Sequence, residues 1–269
     1  MYLLLLACGG LAGITTVLFG FGGGFFMVPL LYAVLLATHG ADSLVGQAAM
    51  HIAVATSTGV MIVGAGLATR RHHRAGTLDW QWIRPLAGYI ALGAVAGAAA
   101  AMAMRGDWVR WAFVAYLAVT IVDALLRPGF LARTAATPRA PSAGASAVLG
   151  LGIGMVAALL GVGGSVMTVP LMRRRGLPMT RATAMATPLS LPMALAGTAA
   201  YVLLARDQAA LLGPWQAGYV DLRAFAALAV GSWIGIRLAS PWIGRLPDGV
   251  HAKAYLALLA GVLAAMVAL

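Results

Sequence analysis

The chain contains a single cysteine, Cys8, and its seven acidic residues are all aspartate, with no glutamate anywhere. One cysteine excludes an intrachain disulfide and a thiolate metal cluster. Leu5-Leu6-Ala7-Cys8 has the outline of a lipoprotein cleavage site. The segment before it has no Lys or Arg and is too short for a signal peptide. Cys8 therefore reads as a small packing residue, and Met1 as the start of the mature first helix. Charged residues make up only 9%, against about 25% in an ordinary soluble domain, which excludes a sizeable soluble domain. H-E-x-x-H and G-x-S-x-G are absent and no Cys/His pairing is evident, so an intramembrane enzyme lacks its usual machinery. No catalytic residue, metal or cofactor is expected. The scarcity of acids at membrane depth also argues against cation transport, which commonly relies on Asp or Glu in its path.

What the chain does have is apolar length. Its 269 residues are 62% hydrophobic with a mean hydropathy of +0.92. Apolar stretches near the ~18 residues that span hydrocarbon recur throughout, with room for roughly six to eight such elements. The net charge of +11 does not indicate nucleic acid. The arginines sit in short clusters between apolar runs, as in cytoplasmic loops of membrane proteins. The expected partner is the lipid bilayer, and the expected class is an all-α, multi-pass integral membrane protein.

The sequence repeats itself. Gly20-Phe21-Gly22-Gly23-Gly24-Phe25-Phe26-Met27-Val28-Pro29-Leu30 aligns without gaps on Gly161-Val162-Gly163-Gly164-Ser165-Val166-Met167-Thr168-Val169-Pro170-Leu171, sharing G-x-G-G-x4-V-P-L. Ala55-Thr56-Ser57 then matches Ala186-Thr187-Pro188, Leu78-Asp79 matches Val220-Asp221, and Gly93/Gly97 match Gly231/Gly235, all in the same order. Such self-similarity marks a duplicated unit. The expected organisation is a membrane repeat over 1–126, a cytoplasmic linker over 127–146 rich in Pro, Arg, Ala and Thr, and a second repeat over 147–269. Each repeat reads as a glycine-broken helix followed by three transmembrane helices. Asp79 and Asp221 fall at helix starts, where capping explains them. The paired small-x3-small glycines read as helix contacts within the chain, although a homodimer stays open.

The broken element is too long for one crossing. Tyr2 to Thr38 as continuous helix would measure roughly 55 Å at 1.5 Å per residue, against about 30 Å of hydrocarbon. It must turn back, so that both its ends emerge on one side. With hairpins, Asp42, the Arg105–Arg110 loop and Arg206/Asp207 lie outside. Arg70, Arg71 and Arg74, the linker arginines, Arg173, Arg174, Arg175, Arg181, Arg245 and Lys253 then lie inside. Single crossings would instead push the cluster at 173–181 outward, against the positive-inside rule. Equivalent loops of the two halves then carry opposite charge bias, the pattern of inverted repeats in secondary transporters.

A helix broken inside the bilayer leaves backbone N–H groups without intrahelical partners, so it must line protein or a wet cavity. Half-helices beginning at about Phe25 and Val166 would aim positive dipole ends at such a cavity, as anion-binding helix N-termini do. The candidate binding residues are Gly22, Gly23, Gly24 and Phe25 at the first break and Gly163, Gly164, Ser165 and Val166 at the second. Thr56, Ser57, Thr187 and Ser190, on the following helices, could donate hydroxyls to an oxyanion, or bond their own backbone. His51 is an intramembrane ionisable group and a candidate for proton coupling, with Gln47 one turn earlier as its candidate partner.

The paired G-x-G-G-x4-V-P-L, the A-T-S segment and Gly218-Tyr219-Val220-Asp221 before Gly231-Ser232 resemble the sulfite exporter TauE/SafE family over essentially the whole chain. That resemblance implies transport of sulfite, sulfonates or related organosulfur anions across the bacterial inner membrane. Two departures, Ser165 where the first half has Gly24 and Pro188 where it has Ser57, imply that the two half-sites contribute unequally. The leading expectation is a secondary transporter of a small anion; the alternatives are an anion channel and a non-transporting membrane scaffold.

Overall fold

A computed structural model of the protein describes residues 2–21, 23–127, 130 and 143–269. Gly22 and most of the 127–146 linker lie outside the described residues. Among the described residues, seven helices are long and apolar enough to cross a membrane and the only sheet is one short hairpin. The chain is an all-α membrane protein.

The first helix, α1 (Tyr2–Phe19), stops where Gly20 takes φ +75. That left-handed conformation strains any residue carrying a Cβ. The chain reverses and α2 (Gly24–His39) runs back, with Pro29 inside it. Tyr2 and Leu5 at the start of α1 line one small cavity together with Leu35, Thr38 and His39 at the end of α2. The broken element is thus a hairpin. A short turn, α3 (Leu44–Gln47), is capped by Ser43, whose Oγ accepts the Gly46 N–H at 2.9 Å. The long helices α4 (Ala49–Arg74), α5 (Trp80–Ala103) and α6 (Gly106–Leu126) complete the first half.

The second half follows the same plan: α7 (Ala143–Leu160), a break at Gly161 (φ +67), α8 (Ser165–Arg174) with Pro170 inside it, and α9 (Met179–Leu204). Leu149 and Ile153 of α7 share a groove with Leu171 and Arg174 of α8, so this element also doubles back. Helix α7 begins inside the segment expected as linker, at 143, and Ser146 is fully buried. Beyond α9 come elements with no counterpart in the sequence reading, α10 (Arg206–Leu212) and a hairpin of β1 (Gln216–Ala217) and β2 (Val220–Asp221). Then follow α11 (Leu222–Ala239), one 3₁₀ turn and α12 (Asp248–Ala268). Asp79 and Asp221 cap α5 and α11 as expected, accepting the N–H groups of Gln81 at 3.0 Å and of Arg223 at 2.9 Å.

Packing is symmetric under exchange of the halves. Helix α1 lies along α11 and α7 along α5, α4 crosses α9, and α6 meets α12. Helices α4 and α9 are central, with every residue from Ala49 to Met61 and from Ala182 to Ser190 buried. A helix apolar all round belongs inside a bundle. The glycine pairs act within the chain. A Cβ on Gly93 or Gly97 would strike the carbonyl of Leu151 or Met155 of α7, and one on Gly231 or Gly235 the carbonyl of Leu6 or Gly10 of α1. Facing glycines complete each contact: Gly9 and Gly13 press on Leu228 and Ser232, and Gly154 on Ile90. Alanine at Gly97 should therefore separate α5 from α7 and cost about 1–3 kcal/mol, read as a lower thermal midpoint of the detergent-purified protein. An unchanged midpoint would disprove the close approach. Exposed Trp80, Trp108, Trp111, Trp215 and Trp242 lie at helix ends or in connections, where amphipathic rings suit the membrane interface.

Candidate functional site: two glycine breaks that meet

The two breaks touch at the centre of the molecule. A Cβ on Gly24 would strike the carbonyl oxygen of Gly161, and one on Gly163 would sit 2.7 Å from the Phe21 carbonyl oxygen. Each break also leans on the central helix of the opposite half. Gly20 presses on the Thr183 carbonyl of α9 and Gly161 on Val54 of α4, where an added Cβ would lie at 2.9 and 2.8 Å. The two half-helices, starting at Gly24 and Ser165, therefore converge.

The carbonyl ends and the amide ends of these breaks are treated differently. At the end of α1, His72 Nε2 binds the Val17 carbonyl at 3.1 Å and His251 Nε2 the Leu18 carbonyl at 2.9 Å. At the end of α7, Tyr201 donates to Ala158 O at 2.9 Å and Ser57 to Gly161 O at 3.2 Å. Carbonyls freed by the breaks thus have side-chain donors, which a helix end inside a membrane requires. The amide ends have no side-chain cap, with glycine at both N-cap positions, Gly23 (φ +90) and Gly164. Beside them stand the hydroxyls of Ser165 and Ser190, both fully buried and both without a hydrogen-bond partner among the described residues. Each lies 3.0 Å from where a Cβ on Gly163 would be. The first break is lined instead by rings. Phe21 stacks on Phe25 at 4.7 Å and packs against Tyr255 at 4.6 Å. The junction is closed, with Phe21, Phe25, Val162 and Val166 all wholly buried.

The other candidates are placed as follows. Ser57 sits at the junction, donating to Val54 O at 2.9 Å as well as to Gly161. Thr187 donates to Thr183 O at 2.8 Å, beside Gly20. Thr56 accepts the backbone N–H of Asp221 at 2.9 Å, fastening α4 to the β-hairpin. His51 lies three residues before Val54, with Nε2 3.0 Å from both the Ala101 and Met104 carbonyls at the end of α5 and its ring stacked on Tyr219 at 5.2 Å. Gln47 is not its partner: the amide donates to Asp42 O at 3.4 Å. Arg173, expected in a cytoplasmic loop, belongs to α8 and is fully buried. His72, His251 and Tyr201 had no signal in the sequence because the carbonyls they serve come from other helices.

Two cavities approach the junction from opposite ends of α4 and α9. One of about 800 Å³ is lined by Gln47, Met50, His51, Arg110 and Tyr219, and the other, of about 630 Å³, by Thr77, Asp79, Gln81, Arg181 and Met185. Each has a lining residue within one helical turn of a residue that touches a break, His51 before Val54 and Met185 after Thr183. Repeated halves with glycine-broken helices are a recurring architecture of membrane transporters. The family model described as "Sulfite exporter TauE/SafE" matches residues 5–266, and the chain belongs to that family. It is 27% identical to a "Probable membrane transporter protein" of Haemophilus influenzae (strain ATCC 51907 / DSM 11121 / KW20 / Rd), over 94% of this chain and 93% of the relative. No solved structure matches it significantly. The protein is a multi-pass membrane transporter.

Proposed function

We propose that the chain is a secondary transporter of a small sulfur-containing anion, sulfite, a sulfonate or a related organosulfur compound, in a bacterial cytoplasmic membrane. The anion binds where the two half-helix N-termini meet, between halves related as inverted repeats. One observation carries this reading: carbonyls at both breaks are tied by side chains, while neither amide end has a side-chain cap and two buried hydroxyls without partners among the described residues stand at the second. Helix N-termini attract negative charge through free N–H groups and the aligned peptide dipoles. A sulfur oxyanion offers several acceptor oxygens to such donors, and Ser165 and Ser190 add two more donors. The sulfur chemistry rests on the family's description.

The inverted relation is supported by α4 and α9. His51 near the start of α4 shares a cavity with Leu211, which follows the end of α9. His72 near the end of α4 shares another with Thr183 near the start of α9. The positive-inside rule then puts the larger cavity outside. A closed junction between two vestibules suits alternating access better than an open pore. His51, bordering that cavity, is assigned the proton-coupling role as an ionisable side chain within a membrane-length helix.

A thermal-shift panel of sulfite, thiosulfate, sulfoacetate, taurine and non-sulfur anions on detergent-purified protein should show stabilisation by one or more sulfur anions, with saturable flux of the same compounds into proteoliposomes. Flux should rise with an imposed pH gradient and lose that dependence in His51→Gln. Conductance without saturation would indicate a channel. The absence of any binding or flux would leave a scaffold.

A further inference from the structure

The larger vestibule contains a cation that the junction does not use. Arg110, in the first turns of α6, lines this cavity with its guanidinium held in place. Nη2 and Nε donate to the Met266 carbonyl of α12 at 3.2 and 3.4 Å, and the rings of Tyr32 and Trp111 lie 5.9 and 5.6 Å from the guanidinium carbon. A guanidinium has five N–H donors, and those not given to Met266 have no acceptor among the described residues. A carbonyl and two rings fix the group without neutralising its charge. The other two arginine and aspartate side chains of this cavity, Arg105 and Asp107, pair with each other at 3.8 Å, both largely exposed. Neutral donors complete the wall. Tyr219 also lines the cavity, and burial pushes its phenol above its ordinary pKa, so it stays protonated.

We propose that Arg110, with Tyr219, forms a second anion site in this vestibule, a capture site that loads a small oxyanion before it reaches the junction. The proposal rests on the transport reading and adds to it a site on one face alone. The halves differ here. Asp107-Trp108-Val109-Arg110 at the start of α6 corresponds to Asp248-Gly249-Val250-His251 at the start of α12. There the fourth position is a buried His committed to the Leu18 carbonyl, and the aspartate is engaged by Arg173. Arg181 lines the cavity at that end, but among the described residues no carbonyl or ring holds its guanidinium in place as Met266, Tyr32 and Trp111 hold that of Arg110. A preorganised guanidinium in a partly desolvated cavity binds oxyanions through charge-assisted hydrogen bonds, and a single charge in a cleft also raises local anion concentration. Capture should therefore be stronger from the Arg110 face.

The test uses sulfite as the probe and membrane vesicles of both orientations carrying the full-length protein. Arg110→Gln should raise KM about tenfold or more for sulfite offered from the Arg110 face, since a charge-assisted bond is lost. From that face kcat should stay within about twofold, a split that a purely structural role would not produce, while kcat/KM for the reverse direction falls in proportion because the substitution cannot change the equilibrium across the membrane. Arg110→Lys keeps the charge but not the fork and should fall between. Calorimetry gives an independent measure. A Gly163→Ala protein, disabled at the junction, should still bind sulfite weakly, and that binding should vanish in Gly163→Ala/Arg110→Gln. Equal KM values for wild type and Arg110→Gln on both faces would overturn the capture site while leaving the junction reading intact. Should Arg110→Gln fail to fold, weakening of the residual binding in Gly163→Ala/Arg110→Lys would uphold the site, and undiminished binding would overturn it. A wild-type protein that neither binds nor moves any tested anion would instead defeat the transport reading itself.

Discussion

Alanine at Gly24 or at Gly163 is expected to reduce anion flux into proteoliposomes by about a hundredfold, while alanine at Gly88 leaves it unchanged. The added methyl is the same in all three variants; only its surroundings differ. At Gly88 an added Cβ meets nothing within 4 Å. At Gly24 it strikes the Gly161 carbonyl oxygen and comes within 3.0 Å of the Met61 sulfur. At Gly163 it lies 2.7 Å from the Phe21 carbonyl oxygen and 3.0 Å from the hydroxyls of Ser165 and Ser190. In both junction variants the obstacle is backbone of the other break, which cannot swing aside as a long side chain would. The breaks must separate, at a cost of about 1–3 kcal/mol in strain. Binding groups displaced by even ~1 Å can lose about a hundredfold in rate. Purified yield and thermal midpoint separate lost function from lost folding. Wild-type flux in both variants, with normal insertion, would remove the junction from the transport path.

The second large effect is on stability. Asp248→Asn should lower the thermal midpoint of the detergent-purified protein by on the order of 10 °C, corresponding to about 3 kcal/mol. Arg173 is fully buried, and its two terminal nitrogens reach the two oxygens of Asp248 at 3.1 and 2.5 Å. Its Nε donates to the Phe130 carbonyl at 2.9 Å, and Asp248 also accepts the Met179 N–H at 2.7 Å. The pair ties the end of half-helix α8 to the starts of α12 and α9. Asparagine keeps the shape and the Met179 bond but removes the charge, leaving a guanidinium buried without its counter-ion. The loss falls at the lower end of the range for buried pairs because the Asp248 side chain is 39% exposed. Arg173→Met should recover most of it in the double variant, since a buried ion pair replaced by apolar packing is often near neutral. If Asp248→Asn alone shifts the midpoint by less than about 2 °C, the pair carries no appreciable stability. Arg174, which pairs with Asp123 on α6, anchors the neighbouring side of the same half-helix.

Features that depend on local chemistry could be read directly from residue order. Asp79 and Asp221 stand where helices begin and cap them, because a carboxylate reaches N–H groups only two or three residues ahead. The G-x-G-G stretches interrupt the helices, because Gly20 and Gly161 take up a left-handed backbone. Paired glycines at i and i+4 mark close helix contacts whatever helix arrives to make them. The partners of those glycines were not legible, nor were Gly9, Gly13 and Gly154, although they repeat at the same separation as the glycine motifs. Arg173 looked like a loop charge because Asp248 lies far along the chain. His51 looked like a partner of Gln47 by helical spacing, yet its ring turns to the end of α5.

Residue order alone determined that this is a duplicated, helical membrane protein whose two elements break at glycine. Composition, periodicity and backbone conformational preference are properties of short stretches and need no fold to act. The tertiary structure decided that the two breaks touch, which carbonyls receive His72, His251, Tyr201 and Ser57, and which hydroxyls among the described residues are left without partners. Those outcomes depend on helices distant in sequence packing side by side, and no local stretch contains both halves of such a contact.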